Sequence, residues 1–248
     1  MVDIITVTAE TVDDYGFFCK MSARKSPAWQ AKRAWLLNRF AEGLQLRLLG
    51  EGERGFIEFM PGAKCWRAID DAEDYMVIHC LWVVGASKGQ GHAGALLDTA
   101  ETWAREAGFR GIAALTGSGN WLISPGVLEH RGYTCIDRAE HGFQLTAKTF
   151  ESGTVPHLSG GWHTKAEACE PGLTVLRSAQ CPYLEDAAMH ASRAADRLGL
   201  AFHDRVIETA DDLRRLSPSP YGTYALVHDG RLVSYHYLLE KQIVARLS

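Results

Sequence analysis

Residues 76–97 read MVIHCLWVVGASKGQGHAGALL, and the rest of the chain can be placed around them. The stretch begins as an almost unbroken apolar run, which predicts a buried β-strand, and then passes through a loop rich in Gly, Ser and Lys. It continues as a predicted helix with one apolar face, formed by Leu96, Leu97, Ala100, Trp103, Ala104 and Ala107. A predicted strand is therefore followed by a glycine-rich loop and then by the N-terminus of a helix.

This arrangement predicts an anion site. The first amides of a helix lack internal partners, and the peptide dipoles place partial positive charge at the same end. Gly89 and Gly91 allow the backbone to turn its N–H groups towards a bulky anion, and Lys88 and His92 supply further donors. The expected ligand is a pyrophosphate.

Composition limits the class of protein. The chain has 248 residues with 46% hydrophobic and 23% charged residues, which is typical of a folded globular protein. A formal net charge of −4 argues against general affinity for nucleic acid or for an anionic membrane, since either would need a basic face. No targeting segment and no long apolar run is recognisable, so we expect a cytoplasmic protein.

The cysteines are scattered and form no CxxC pair or zinc-like spacing. We therefore expect reduced thiols and no metal site, because a chain of this length has no need of disulfides. A soft-metal site that combines Cys19, Cys181 and a third ligand is an alternative that the spacing does not support.

The pattern of predicted elements divides the chain into two domains. Residues 1–150 give a strand, two helices, three strands, the glycine loop with its helix, then a strand, a helix and two strands. Residues 151–171 carry Gly, Pro, Ser and Thr without a sustained period and are predicted as a linker. Residues 172–248 give strand, helix, strand, helix, a hairpin and a last helix.

The loop motif resembles motif A of the GNAT superfamily of acyl-CoA-dependent N-acetyltransferases, R/Q-x-x-G-x-G/A. Residues 88–93 match it as KGQGHA, with Lys88 in place of Arg or Gln, and EHRGY at residues 129–133 resembles a later turn of the family. The resemblance implies an α/β (α+β) fold whose mixed sheet is flanked by helices. It also implies acetyl-CoA as co-substrate, direct transfer to a small-molecule amine, and a homodimer as a further expectation.

The resemblance also assigns cofactor contacts. The backbone of the strand before the loop would contact the pantetheine arm, and the loop and first helical turn would bind the pyrophosphate. Asn120 is either a pantetheine hydrogen-bond partner or an ordinary turn residue. The implied cofactor-binding set is Leu81, Trp82, Val83, Lys88, Gly89, Gln90, Gly91, His92, Ala93, Gly94 and Asn120.

The catalytic groups are less defined. His79 is either the base that takes a proton from the acceptor amine or a hydrogen-bonded histidine of the sheet. The family's usual acid, a Tyr, falls on Leu128, so another group, water or a different reaction replaces it; Tyr133 belongs to the next strand. Cys80 is interpreted as a core residue. Cys19 either faces substrate or packs.

The second domain resembles thioredoxin-like domains, because Cys181 stands between a strand and a helix N-terminus that stabilises a thiolate. Leu184 occupies the place of a resolving thiol, and SPSPYG at residues 217–222 resembles a cis-proline loop. Across almost the whole chain the order of segments resembles the YoaP-like group of GNAT proteins. Either this domain completes the acceptor site, or the protein is a non-catalytic CoA-binding or thiol-reactive, redox-sensing protein that uses Cys181.

Overall fold

The computed structural model describes residues 2–50, 52–119 and 121–248. The chain forms two compact units, each described here by itself. Unit 1 comprises residues 1–21, 36–65 and 69–158, and unit 2 comprises residues 22–35, 66–68 and 159–248.

Unit 1 is built on a mixed sheet. Its strands are β1 (Ile4–Val7), β2 (Gln45–Leu49), β3 (Gly55–Pro61), β4 (Ile69–Asp70), β5 (Tyr75–Val83), β6 (Gly111–Thr116), β7 (Thr134–Ala139), β8 (Phe143–Thr149) and β9 (His157–Leu158). The main sheet has the order β1-β2-β3-β5-β6-β8-β7, and β4 pairs separately with β9. β5 and β6 run parallel, whereas the other neighbours in this sheet are antiparallel.

Helices flank this sheet. They are α1 (Val12–Tyr15), α2 (Pro27–Phe40), α3 (His92–Glu106) and α4 (Pro125–Glu129), and residues 27–35 of α2 belong to unit 2. α2 begins at Pro27, as predicted, because a proline at the first helical position loses no hydrogen bond. α3 buries Leu96, Leu97, Ala100 and Ala104 of the predicted face, which pack with strand residues such as Ile57 and Met76 in one apolar core. Trp103 is half-buried against this core, and the prediction is wrong for Ala107, which is exposed because the helix ends at Glu106.

Unit 2 contains a four-stranded sheet. Its strands are β10 (Leu173–Arg177), β11 (Phe202–Val206), β12 (Tyr224–His228) and β13 (Arg231–Ser234), and its helices are α5 (Trp162–Glu167), α6 (Tyr183–Leu198), α7 (Ala210–Leu216) and α8 (Glu240–Leu247). The strand order is β11-β10-β12-β13. α6 connects the parallel strands β10 and β11, and the predicted turn at Asp229 and Gly230 closes the β12–β13 hairpin with φ of 45° and 75°.

The loop at residues 217–222 differs from its predicted form. Every peptide bond in the described residues is trans, so the expected cis-proline is wrong. The chain turns instead at Gly222, whose φ is 78°, and the Thr223 amide donates to the Tyr221 carbonyl at 2.9 Å. Residues 151–171, predicted as a linker, include β9 and α5. None of the described helices has the length and apolar composition that crossing a bilayer requires.

Candidate active site

The site in unit 1 begins where β5 parts from β6. The two strands pair over four positions, from Tyr75 opposite Gly111 to Ile78 opposite Ala114. Beyond this point β5 stays paired with β3 up to Val83, whereas β6 continues beside β8 up to Thr116. Residues 81–83, all predicted cofactor contacts, therefore lie outside the β5–β6 ladder. An extended ligand can add to such a main chain as a further strand would.

Two hydrogen bonds anchor the loop that follows β5. Residues Gly85–Ser87 form one turn of 3₁₀-helix, and the buried Ser87 hydroxyl oxygen accepts a hydrogen bond from the Arg54 amide at 2.8 Å. The Val84 amide in turn donates to the Arg54 carbonyl at 2.9 Å. These bonds fix the base of the loop to the start of β3, while Lys88 and Gln90 are exposed at its tip.

The two loop glycines have the conformation and the space that the anion site needs. Gly89 has a φ of 76° and Gly91 a φ of 81°, where residues with a side chain are strained. A β-carbon placed on either glycine would meet no atom within 4 Å. The positive φ therefore explains these glycines, close packing within the protein does not, and the space beside the backbone is open to a ligand.

α3 begins directly after Gly91 and presents its first amides to this space. None of the described side chains caps the helix, and its first turn holds no acidic residue. The partial positive charge of the N-terminus is therefore not offset within this turn. His92, Ala93 and Gly94, all predicted cofactor contacts, form this turn.

Two charged side chains outside the sequence motif lie beside this turn. Arg131 pairs with Asp98 on α3, and a β-carbon on Gly94 would lie 3.1 Å from Arg131 Nη1. Gly94 thus leaves room for a guanidinium over the first turn, where the Asp98 carboxylate balances its charge. Glu53 Oε2 lies 3.2 Å from His92 Nε2. Sequence reasoning missed Arg131 and Glu53, because their contacts join residues distant in the chain.

His79 lies in the strand at the point of parting. Its side chain is buried, and His79 Nδ1 lies 3.2 Å from Glu58 Oε1 on the neighbouring strand β3. Glu58 is buried as well and was also missed from the sequence. The structure thus places the predicted base in a buried hydrogen-bonded pair.

Cys80 and Cys19, the two cysteines of unit 1 that the sequence analysis considers near the site, lie in different parts of this unit. Cys80 is half-buried on β5, opposite Glu58 in the strand register. Cys19 is half-buried between two residues with unusual backbone conformations, Phe18 with a φ of 76° and Lys20 with a φ of 50°. Non-glycine residues with positive φ carry strain that often marks functional sites. The Phe18 ring lies 5.0 Å from the Phe56 ring on β3.

Cys181 belongs to unit 2 and precedes the first turn of α6. It is half-buried, and its carbonyl accepts a hydrogen bond from the Leu184 amide at 3.1 Å. The neighbouring Gln180 is buried and accepts a hydrogen bond through Oε1 from Arg67 Nη1 at 2.8 Å. Arg67 is itself buried, and its guanidinium lies 5.0 Å from the centre of the Tyr221 ring.

The remaining observations concern metals and thiols. No disulfide bond joins any of the six cysteines, all of which lie within the described residues. Within the described residues, no group of three or more His, Cys, Asp or Glu side chains is arranged to hold a metal ion. Asn120, a predicted cofactor contact, lies outside the described residues.

Comparison with known proteins decides the family. The model of the acetyltransferase (GNAT) family matches residues 15–121. The chain is 30% identical over 238 residues to the uncharacterized N-acetyltransferase YoaP of Bacillus subtilis (strain 168), and the match covers 94% of each protein. The chain belongs to the acetyltransferase (GNAT) family. This membership confirms the predicted enzyme class, a GNAT-type N-acetyltransferase.

Solved structures also resemble this GNAT protein. One is yncA from Salmonella typhimurium with its cofactor acetyl-CoA, at 15% identity and a TM-score of 0.45, covering 62% of this chain and 97% of that one. Another is a paia N-acetyltransferase from Thermoplasma acidophilum in complex with coenzyme A, at 13% identity and a TM-score of 0.43, covering 60% and 99%.

Two residues bear on the expected position of the general acid. Leu128 is fully buried and packs in the core of unit 1. Tyr133 is also buried, and burial together with the nearby Glu101 carboxylate raises the pKa of Tyr133 well above its usual value of about 10. A phenol with a raised pKa holds its proton more firmly, so Tyr133 is a poor acid at neutral pH.

Proposed function

We propose that this GNAT enzyme uses acetyl-CoA as co-substrate and transfers its acetyl group directly to a small amine. The observation that carries the proposal is the parting of β5 from β6 beyond Ile78, which leads within a few residues into the open glycine loop and the uncapped N-terminus of α3. Such a strand suits the extended pantetheine arm of CoA, and such a loop suits its pyrophosphate.

The described residues fit both the pantetheine arm and the pyrophosphate of acetyl-CoA. The main chain of residues 81–83 suits the pantetheine arm, and the amides of the loop and of the first α3 turn suit the pyrophosphate. The empty space at the β-carbon positions of Gly89 and Gly91 supports this assignment. Lys88 adds a cation at the exposed tip, where it can pair with a phosphate oxygen.

The reaction needs a base because an amine acceptor is protonated at neutral pH. His79 takes one proton from the ammonium group, which leaves a neutral amine with a free electron pair. The amine nitrogen attacks the thioester carbonyl carbon, so a C–N bond forms and a main-chain N–H of β5 stabilises the oxyanion. The C–S bond then breaks, the CoA thiolate leaves, and it takes up the second proton that the nitrogen releases.

This route needs no tyrosine acid. The second proton reaches the thiolate from the nitrogen, directly or through water, so Leu128 in place of Tyr does not block the reaction. A thiolate is also a far better leaving group than an amine or alkoxide. The absence of a Tyr at position 128 is therefore compatible with transfer.

Two measurements test the proposal. Isothermal titration calorimetry measures binding of acetyl-CoA to the full chain. A CoA-release assay then screens a panel of an aminoglycoside, amino acids, polyamines and a lysine-containing peptide. We expect micromolar binding, release of CoA that depends on one acceptor, and a loss of kcat of about 100-fold or more in His79→Gln with acetyl-CoA binding retained. Absence of acetyl-CoA binding would refute the proposal.

We further propose that residues 172–248 form a thioredoxin-like domain that completes the acceptor site. The order strand, helix, strand, helix, hairpin and helix, with parallel β10–β11 and antiparallel β10–β12, supports the fold assignment. Arg67→Gln should then raise the KM for the acceptor while the Kd for acetyl-CoA stays the same. An unchanged KM would contradict this role of unit 2.

A second candidate function is thiol chemistry at Cys181. The observation that favours it is the buried Arg67 guanidinium on Gln180, the residue next to Cys181. A positive charge and a helix N-terminus both favour a thiolate, whereas Glu185 and Asp186 in the first turn of α6 oppose it. In the test, Cys181 displaces iodide from iodoacetamide and forms a thioether that mass spectrometry detects.

Cys169 is an internal reference for this test. It is also half-buried, but burial raises the pKa of its thiol and so slows its reaction. We expect Cys181 to react about tenfold or more faster than Cys169, and more slowly in Arg67→Gln. Equal rates for the two cysteines would rule out an activated Cys181.

A further inference from the structure

Glu58 is a buried carboxylate in the middle of β3, one strand away from the proposed acetyl-CoA contacts. Its Oε1 atom lies 3.2 Å from His79 Nδ1, and the two side chains are only 3% and 0% exposed. Burying a carboxylate is costly unless a hydrogen bond or an opposite charge compensates it. The contact with His79 provides such compensation at the point where β5 leaves β6.

A β-bulge brings these two side chains together. In the β3–β5 register Glu58 lies opposite Cys80 and Phe59 lies opposite Ile78, so His79 is an extra residue on β5. In a regular strand His79 would point to the face opposite to that of Cys80 and Glu58. The bulge redirects its side chain, which explains how a residue next to Cys80 in sequence contacts Glu58.

We infer that Glu58 is a positioning residue that holds His79 ready to accept a proton at Nε2. When Nδ1–H donates to the Glu58 carboxylate, the lone pair of neutral His79 is on Nε2. The carboxylate also stabilises the imidazolium that forms after the N–H bond of the ammonium breaks and the Nε2–H bond forms. This inference rests on the proposed role of His79 as the base.

The kinetic test is a double-mutant cycle on the full chain, with the panel acceptor of highest kcat/KM. Glu58→Gln keeps the size of the side chain but removes its charge, and its amide can donate to Nδ1 and so favour the wrong tautomer. We expect kcat to fall by about tenfold or more, since losing the carboxylate that orients a catalytic histidine costs up to about 10⁴-fold. In the His79→Gln background the same substitution should have no further effect on kcat.

Glu101→Gln is the matched control. Glu101 is another buried carboxylate of unit 1, but its Oε2 pairs with Lys148 Nζ at 2.6 Å. This variant should lower the melting temperature and leave kcat within about twofold of wild type, whereas Glu58→Asp should recover part of the kcat that Glu58→Gln loses. A structural role for Glu58 predicts instead that the two Gln variants behave alike in kcat.

The outcomes separate this inference from the proposed function. If His79→Gln is inactive but Glu58→Gln keeps wild-type kcat, the positioning role alone is overturned. If His79→Gln keeps wild-type kcat, the base assignment fails, and this inference fails with it, while acetyl-CoA binding still tests the cofactor assignment.

Nitrogen-15 NMR of the wild-type imidazole provides a test that requires no variant to fold. Protonation of Nδ1 in the neutral ring supports the inference, and protonation of Nε2 alone overturns it.

Discussion

Replacement of Gly91 by Ala separates ligand binding from folding. Gly91 has a φ of 81° at the N-terminus of α3, and Gly108 has a φ of 80° just after its C-terminus. A β-carbon at either position meets no atom within 4 Å. Both substitutions should therefore cost about 1–2 kcal/mol of stability through the left-handed backbone alone, which lowers Tm by roughly 2–8 °C in a chain of this size.

The two variants should differ in their affinity for acetyl-CoA. At Gly91 the new methyl group would enter the space assigned to the pyrophosphate and displace it from the loop amides. Loss of one charge-assisted hydrogen bond costs about 1.5–3 kcal/mol, or about 10- to 150-fold in Kd. Gly108→Ala should leave Kd within about twofold of wild type.

Calorimetry with acetyl-CoA and thermal unfolding of the same samples provide both quantities. A Gly91→Ala protein that binds acetyl-CoA as tightly as Gly108→Ala would refute the assignment of the glycine loop to the pyrophosphate.

Three further changes test particular contacts. Ser87→Ala removes the acceptor for the Arg54 amide, so we expect a loss of about 1–3 kcal/mol of stability and weaker acetyl-CoA binding; no change in urea unfolding or calorimetry would contradict this. Leu128→Tyr overfills a packed core and should cost about 1–3 kcal/mol without raising kcat, whereas a tenfold gain in kcat would show that position 128 reaches the reacting atoms. Burial and Glu101 raise the pKa of Tyr133, so its stabilising contribution is complete below the unfolded pKa of about 10 and is lost as pH rises above it. Urea unfolding from pH 9 to 11 should therefore show a steeper loss of stability with pH in wild type than in Tyr133→Phe. Equal pH dependence in the two proteins would contradict the raised pKa of Tyr133.

The cofactor half of the site could be predicted because its signals are local in sequence. The apolar run that becomes β5, the glycines before α3 and the helical period of Leu96, Leu97 and Ala100 all lie within 25 residues. Each feature follows from backbone freedom or from the spacing of side chains along one element. The structure places these elements where the pattern predicts them.

The side-chain contacts around the candidate site residues could not be predicted, because they join residues that are distant in the sequence. The Glu58–His79 contact joins residues 21 positions apart and depends on a β-bulge that the sequence pattern does not predict. The Arg67–Gln180 contact joins residues 113 positions apart. The positive φ of Phe18 could not be predicted either, because a bulky residue usually avoids this conformation.

The acetyl-transfer reaction itself tests the central claim most directly. With acetyl-CoA and the acceptor panel, wild-type protein should release CoA in an acceptor-dependent manner, and mass spectrometry should find the matching acceptor heavier by one acetyl group. His79→Gln should bind acetyl-CoA but form about 100-fold less product. Wild-type protein that binds acetyl-CoA yet acetylates no amine of the panel would contradict direct transfer to a small amine.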